Sequence, residues 1–328
     1  MKIFLTGGSG FIGTNLVSAL LQRGDSVRNF DVIAPRDANH RPCWQQGDLL
    51  EAESLRAAMT AFAPDAVFHL AARADCDENT TVEEGYRANT DGTANFLAGV
   101  KATSSIQRAV IVSSQYVAGP TRLPESDEDS FPHTVYGQSK VITEQLTRQA
   151  GLSCCWTLVR PTNVWGPWHG RYPQEFWRIA AKGLYFHPGG APVMRCYAYV
   201  GNIVWQMLRV VELPQEAVNR QTFYVGDDVA DIYYWASGFS KALCGRSAPK
   251  IPRPLLRSIA LAGDVITAIR GKQFYLTSSR YRSMTSDYPT PMEKTFQVLG
   301  KGPHSLEDGI RETVSWLRAH GGPEFQNE

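Results

Sequence analysis

The sequence predicts an α/β chain, a doubly wound parallel sheet covered by helices, with a smaller α/β domain stitched from its later segments. Three observations predict it. Short β-rich runs alternate with helical stretches through the first half. A glycine-rich turn, TGGSGFIG at 6–13, joins the first such run to the first helix. After about residue 163 the alternation gives way to Gly, Pro and aromatic residues.

The elements follow in order. Lys2 to Thr6 reads as a buried strand, and Phe11 to Arg23 as a helix stopped by Gly24. Ser26 to Phe30 is the next strand, Glu51 to Phe62 a helix, Ala66 to Leu70 a strand, and Val82 to Lys101 one long helix. Arg108 to Ser113 is strand-like, Thr134 to Gln149 helical, and Cys155 to Val159 a strand. Trp165 to Val193 reads as loops and short helices, and Gln221 to Val225 returns as a strand. Residues 250–318 carry separate helices, the last from Ser305 to Arg318, and 321–328 form a tail.

Composition bounds the function. The chain has 328 residues, 43% of them apolar and 20% charged, enough for a sizeable core. A net charge of +1 gives no electrostatic case for nucleic acid or an anionic membrane, and leaves room only for a local cationic site. Six cysteines, with no CxxC pair, suit neither a metal site nor a disulfide framework, and imply free thiols in a reducing, cytoplasmic setting. The apolar stretch Ile3 to Leu5 is too short for a signal peptide. Leu255 to Ile269 is interrupted by Arg257 and Asp264 and is too short to span a bilayer. It reads as a packed amphipathic helix, compatible with weak surface association.

The glycine-rich turn carries the clearest chemistry. Gly8, Gly10 and Gly13 fit G-x-G-x-x-G, and Gly7 offers a second spacing. Early glycines let backbone N–H groups approach a pyrophosphate; the last lets helix and strand pack closely. The helix start at Phe11 and Ile12 adds backbone N–H donors and a positive dipole end. The bland alternative is a structural turn. Asp31 closes the second strand, where a carboxylate accepts hydrogen bonds from an adenosine ribose and repels a 2′-phosphate, favouring NAD over NADP. Together these define a Rossmann dinucleotide domain over residues 1–162 plus about 196–226, with a substrate domain over about 163–195 and 227–320.

Tyr136 and Lys140 form Y-x-x-x-K and share one helix face. A phenol titrating near 10 is a poor base at neutral pH, and a nearby ammonium lowers it. Ser114, at the end of VIVSS, stands where a doubly wound sheet places its ligands. Alone, Y-x-x-x-K is as readily a solvated helix face.

In this order the pieces resemble the extended short-chain dehydrogenase/reductases, the NAD-dependent epimerase/dehydratase family. TGGSGFIG, Asp31, GDL at 47–49, HLAA at 69–72, NTDGT at 89–93, VSSQYVAG at 112–119, YGQSK and RPTNVWGP at 160–167 carry the resemblance. It implies that Asp48 and Leu49 border adenine, and that Leu70, Ala71, Ala72 and Pro161 line the dinucleotide. It further implies that Asn89 supports the active-site helix, that Ser114, Tyr136 and Lys140 are catalytic, and that the enzyme is a homodimer. Dehydratases of the family carry an Asp–Glu pair after the catalytic Ser/Thr; here stand Gln115 and Tyr116. An amide cannot transfer that proton, so alcohol oxidation, ketone reduction or C4 epimerisation remain.

Two subgroups compete for the substrate. Asn163 and Arg195 resemble the diphosphate-holding residues of nucleotide-sugar epimerases, and Arg280 adds a possible phosphate contact beside Ser114 and Gln115 at the reacting end. Val200-Gly201-Asn202, where nucleotide-sugar members show Val-x-Asp, and IPRPLLRSIA resemble 3β-hydroxysteroid dehydrogenases. The leading expectation is a nucleotide-sugar 4-epimerase or 4-keto oxidoreductase. A non-catalytic dinucleotide sensor on the same fold is the reading from a different class.

Overall fold

The computed structural model describes residues 1–271, 274–322 and 325. In chain order the strands are β1 (Lys2–Thr6), β2 (Ser26–Asp31), β3 (Trp44–Gln46), β4 (Ala66–His69), β5 (Arg108–Val112), β6 (Cys155–Pro161), β7 (Asn163–Trp165), β8 (His187–Pro188), β9 (Met194–Tyr199), β10 (Gln221–Val225), β11 (Val229–Asp231) and β12 (Lys250–Ile251). The helices are α1 (Phe11–Gln22), α2 (Ala52–Phe62), α3 (Val82–Gly85), α4 (Asp91–Ala102), α5 (Val135–Gln149), α6 (Arg178–Ala181), α7 (Val200–Glu212), α8 (Gln215–Val218), α9 (Ile232–Cys244), α10 (Arg253–Arg270), α11 (Ser278–Thr285), α12 (Glu293–Val298) and α13 (Leu306–His320).

The chain forms two compact units. The first holds Met1–Val164, Val200–Asp227 and Thr290–Pro303; the second holds Trp165–Tyr199, Asp228–Pro289 and His304–Glu328. The backbone therefore passes from one unit to the other five times.

In the first unit seven strands form one sheet in the order β3-β2-β1-β4-β5-β6-β10, with every neighbouring pair parallel. Its central strands are continuous apolar runs because helices cover both faces. Ile3, Phe4 and Leu5 of β1 and Val110 and Ile111 of β5 have no exposed surface. Two helix pairs flank the sheet, α1 with α7 and α2 with α4. The strand order reverses between β1 and β4, and ligands of such sheets bind beyond the carboxyl ends of the strands at that reversal.

Three expectations are corrected. The single helix expected over Val82 to Lys101 is two, α3 and α4, parted by a turn in which Asn89 N donates to Tyr86 O at 2.8 Å. The break lets the Asn89 side chain bond backbone elsewhere instead of riding on a helix. The segment Thr290–Pro303, expected in the substrate domain, belongs to the first unit. There Lys294 pairs with Asp127 at 2.7 Å, Gln206 Nε2 donates to Gly300 O at 3.3 Å, and Thr295 Oγ1 donates to Tyr224 O on β10. Residues 196–199, expected with the Rossmann domain, fall in the second unit, where β9 pairs antiparallel with β11. The tail expected over 321–328 lies mostly outside the described residues.

The second unit is packed by aromatics. Phe176 stacks on Trp235 at 4.5 Å, and Trp165 meets Phe239 edge-on at 5.3 Å. Trp165 and Phe176 are therefore core residues, as their burial demands. A Cβ on Gly309 of α13 would stand 2.7 Å from the Trp165 ring, so glycine there lets α13 close on this cluster. All six cysteines are free thiols.

Candidate active site

The first unit assembles its site at the carboxyl ends of β1, β2, β4 and β5. Gly7 has φ +77°, and a Cβ on it would stand 2.4 Å from Ala71 N. A Cβ on Gly13 would stand 2.1 Å from Gly7 O. Both glycines are obligatory: the first for a left-handed turn against HLAA, the second for helix–turn contact. Gly10 caps α1 without a side-chain hydrogen bond, so the first turn at Phe11 and Ile12 presents its backbone N–H groups along the helix axis. Such a helix start suits an anion.

The loop is held from β2. Gly8 N donates to Asn29 Oδ1 at 2.9 Å, Asn29 Nδ2 donates to Ser9 Oγ at 3.1 Å, and Ser9 N donates to Asp31 Oδ2 at 3.0 Å. Asn29 and Asp31, two apart, project from the same face of the strand. Asn29 is fully buried, and sequence reasoning missed it. The available signal was an amide inside a run that otherwise reads as a core strand.

The neighbouring motifs fall around this loop. Ala71 N approaches Thr6 Oγ1 at 3.4 Å, and Leu70 N donates to Thr6 O at 3.1 Å, with Ala72 following. Asp48 Oδ1 accepts from Leu50 N at 2.9 Å. Leu49 is buried, and Gly92 of α4 packs on it. Pro161 ends β6, wholly buried.

A buried polar chain runs behind the site. Thr6 Oγ1 lies 2.8 Å from His69 Nδ1, His69 Nε2 lies 3.1 Å from Thr93 Oγ1, and Thr93 Oγ1 donates to Asn89 O at 2.8 Å. Thr93 has one proton and gives it to Asn89, so His69 donates through Nε2–H and accepts at Nδ1 from Thr6. Burial, then the charge of Lys140, brings His69 down to about 3, so it is neutral. Asn89 bonds Arg73 main chain at both amide ends (2.8 and 3.0 Å) and donates to Ser139 Oγ at 2.9 Å. Ser139 in turn donates to Tyr136 O at 2.7 Å, so the chain ends on the turn of α5 that carries Tyr136 and Lys140.

Thr134 caps α5 through Gly137 N at 2.9 Å. A Cβ on Gly137 would stand 2.3 Å from Tyr116 O, which explains a glycine directly after Tyr136. Tyr136 is buried between Tyr86 and Tyr116, with ring centroids at 6.2 and 6.0 Å, and is hydrogen-bonded to the Ser114 side chain. Ser114 Oγ also accepts from Tyr116 N at 3.2 Å. Lys140 Nζ donates to Val112 O at 2.8 Å.

One expectation changes here. An ammonium was expected to lower the Tyr136 phenol. In the structure burial raises it well above its ordinary value, with the Ser114 hydrogen bond opposing. Burial also brings Lys140 down to about 8, with Glu144 opposing. The phenol is thereby held protonated, ready to donate. Glu144 itself is pushed up by burial, but the hydrogen bonds and charge of Arg160 overcome this and hold it ionised. Arg160 grips it with Nε at 2.7 Å and a terminal nitrogen at 2.8 Å, and Arg148 adds a bond at 2.9 Å.

Ser114, Gln115 and Asn163 lie in the first unit, Arg195 and Arg280 in the second. Gln115 is buried directly after Ser114, and Asn163 opens β7, half-buried. Arg195 Nε donates to Ser286 O at 2.8 Å. Arg280 pairs with Glu175 at 2.7 Å and covers the Tyr275 ring at 4.7 Å. Its charge is already matched by a carboxylate, which weakens its case as a phosphate ligand.

The fold and the glycine-rich turn together define a dinucleotide-dependent enzyme, in which Ser114 is hydrogen-bonded to Tyr136 and Lys140 follows one helical turn on. Residues 3–226 match the model of the NAD dependent epimerase/dehydratase family, and the chain belongs to that family. It is 29% identical to a 3-beta-hydroxysteroid dehydrogenase of Mycolicibacterium neoaurum over 76% of this chain and 72% of that one. It is 30% identical to the UDP-glucose 4-epimerase of Vibrio cholerae over 97% of this chain and 96% of that one. Among solved structures, UDP-glucose 4-epimerase of Thermotoga maritima with UDP-glucose shares the fold at a TM-score of 0.73 and 20% identity, covering 97% and 99% of the two chains.

Proposed function

We propose that this protein is a nucleotide-sugar 4-epimerase or 4-keto oxidoreductase that uses NAD. The observation that supports the reading is the arrangement of the centre: Tyr136 is hydrogen-bonded to Ser114, Lys140 stands one helical turn on and donates to Val112 O, and an amide, not a carboxylate, directly follows Ser114. Such a centre can move one proton at a hydroxyl or carbonyl oxygen and lacks the acid–base pair that elimination needs. Relatives that align along almost the whole chain include a UDP-glucose 4-epimerase, which favours a sugar substrate.

The residues present fit the cofactor. The turn that a Cβ on Gly7 or Gly13 would fill, and the uncapped start of α1, suit a pyrophosphate. Asp31, at the rim of β2, suits an adenosine ribose and disfavours a 2′-phosphate, hence NAD rather than NADP. When bound, NAD supplies the acceptance and return of a hydride. Tyr136 holds or moves the proton at the substrate oxygen, Ser114 positions that oxygen, and Lys140 anchors the ribose end beside Val112.

A specific observation favours a second reading, a 3β-hydroxysteroid dehydrogenase-like alcohol oxidoreductase. Asn202 stands where nucleotide-sugar members show Asp, and its Nδ2 donates to Asp227 Oδ1 at 2.8 Å. An Asp at 202 would set two carboxylates against each other, so Asp227 suits an amide at this position. Incubation with UDP-, GDP- and dTDP-hexoses, with and without added NAD, followed by proton NMR, tests the leading reading. A C4 epimer or 4-keto sugar is expected. Unchanged sugars alongside turnover of a 3β-hydroxysterol would replace it with the second.

A further inference from the structure

Helix α10 breaks the ordinary arrangement of an amphipathic helix. Its inner stripe, Leu256, Ala260 and Gly263, packs against Leu276 and the Phe274 ring, and a Cβ on Gly263 would stand 1.9 Å from Leu276 O. Asp264 fixes the same side by accepting from Ser278 N at 3.0 Å and from Ser278 Oγ. The opposite side is apolar and open. Leu255, Ile259, Leu261, Val265 and Ile269 are all exposed, Ile269 by 78%. At about 100° per residue these positions sweep roughly 160° of the helix circumference, and Ser258 is the single polar residue in that arc. A surface helix places charged and polar residues there. Leu184 and Phe186, also exposed, lead into β8, whose partner β12 leads into α10.

The charge around this face is as uneven as its polarity. Residues 246–282 carry eight Lys or Arg, of which Arg280 is paired with Glu175, and the single acidic residue Asp264, in a chain whose net charge is only +1. Arg257 is exposed at the edge of the apolar arc, and Arg282 is exposed on α11.

We propose that α10 docks this protein on the surface of an anionic lipid bilayer, with its apolar arc in the interfacial layer and its basic flanks against acidic headgroups. The combination of a wide apolar face and a basic border is what lipid interfaces bind. A second copy of the chain fits less well: a two-fold contact lays the same patch on itself and would oppose two strongly basic segments. The helix lies on the bilayer and does not cross it, since among the described residues no helix is long and apolar enough to span a membrane.

Sedimentation with phosphatidylcholine vesicles, with and without phosphatidylglycerol, tests this on the intact protein. It is expected to sediment with the anionic vesicles and to be released by salt. The double variant Val265→Gln/Ile269→Gln is expected to lower partitioning by about tenfold or more while leaving the thermal midpoint and dinucleotide binding unchanged. Arg257→Glu is expected to weaken binding to anionic vesicles selectively. The proposal is overturned if the protein stays in the supernatant with both vesicle types or if the double variant partitions like the parent. It is equally overturned if sedimentation velocity shows a dimer that the same substitutions dissolve, which would make α10 a self-association face.

Discussion

Helices α5 and α10 are each at odds with the rule that apolar side chains go in and polar ones stay out, and in opposite senses. Over its 15 residues α5 buries Tyr136, Ser139, Lys140, Thr143, Glu144 and Thr147. Over its 18 residues α10 leaves an apolar arc in the open. The difference lies in partners. On α5 the buried polar groups are satisfied: Ser139 by Asn89 and Tyr136 O, Thr143 by Asn89 O, Lys140 by Val112 O, Glu144 by two arginines. On α10 the exposed apolar groups face solvent. Buried polarity and exposed apolar surface are the two departures that carry information about function. A satisfied departure points to chemistry inside the fold, and an open one to a surface the fold has left for something else.

The largest effect expected is on α5. Tyr136→Phe should lower turnover by roughly 10²–10⁴-fold with dinucleotide affinity retained, measured by steady-state rates beside calorimetric titration. Undiminished turnover would strip α5 of its chemical meaning. Glu144→Gln should cost about 3–5 kcal/mol in urea denaturation, because it leaves Arg160 buried without its carboxylate. A cost near zero would mean that the buried polarity of α5 is incidental.

Asn29→Leu is a milder break at the edge of the same site. It leaves Gly8 N without its acceptor, which should cost about 1–3 kcal/mol and loosen the loop, so dinucleotide affinity should fall with stability. Lys140 sharpens the comparison through pH. Its pKa in the folded chain is about 8, below the ordinary lysine value, so the unfolded chain binds more protons between the two. Stability should therefore rise as pH climbs from about 8 toward about 10, and Lys140→Met should remove that rise in denaturation curves taken across the window. The smallest effect belongs to α10: Ile269→Ser should shift stability by no more than about 0.5 kcal/mol. A larger loss would show that the arc contributes to packing and is not open.

Much of this was legible in the sequence, for reasons that particular residues make plain. The glycine loop, Asp31, Ser114, Tyr136 and Lys140 were readable because each is tied to a strand end or a helix face by local spacing. Other features depend on partners far along the chain. Asn29 is notable only because Gly8 and Ser9 fold back on it, and the chain from Thr6 through His69 to Thr93 links three separate elements. The break between α3 and α4 is invisible to periodicity, since Arg73, which Asn89 bonds, lies 16 residues away. Helix α9 was missed because its start, Ile232 to Trp235, is rich in residues that favour strands. Of the open face on α10, sequence could show only that the stretch was apolar; which side Leu276 and Phe274 would cover was a matter of tertiary contact.

The five passages of the backbone between the two units carry a consequence for how such a protein can change. A substrate domain attached by one linker can be exchanged for another by a single recombination. Here a transplant of the second unit would need five junctions in register, two of them bounding the short return through Thr290–Pro303. Change in the second unit is therefore expected to accumulate by substitution in place, and an engineer who wants to alter that unit should build libraries on its own residues instead of grafting a foreign one.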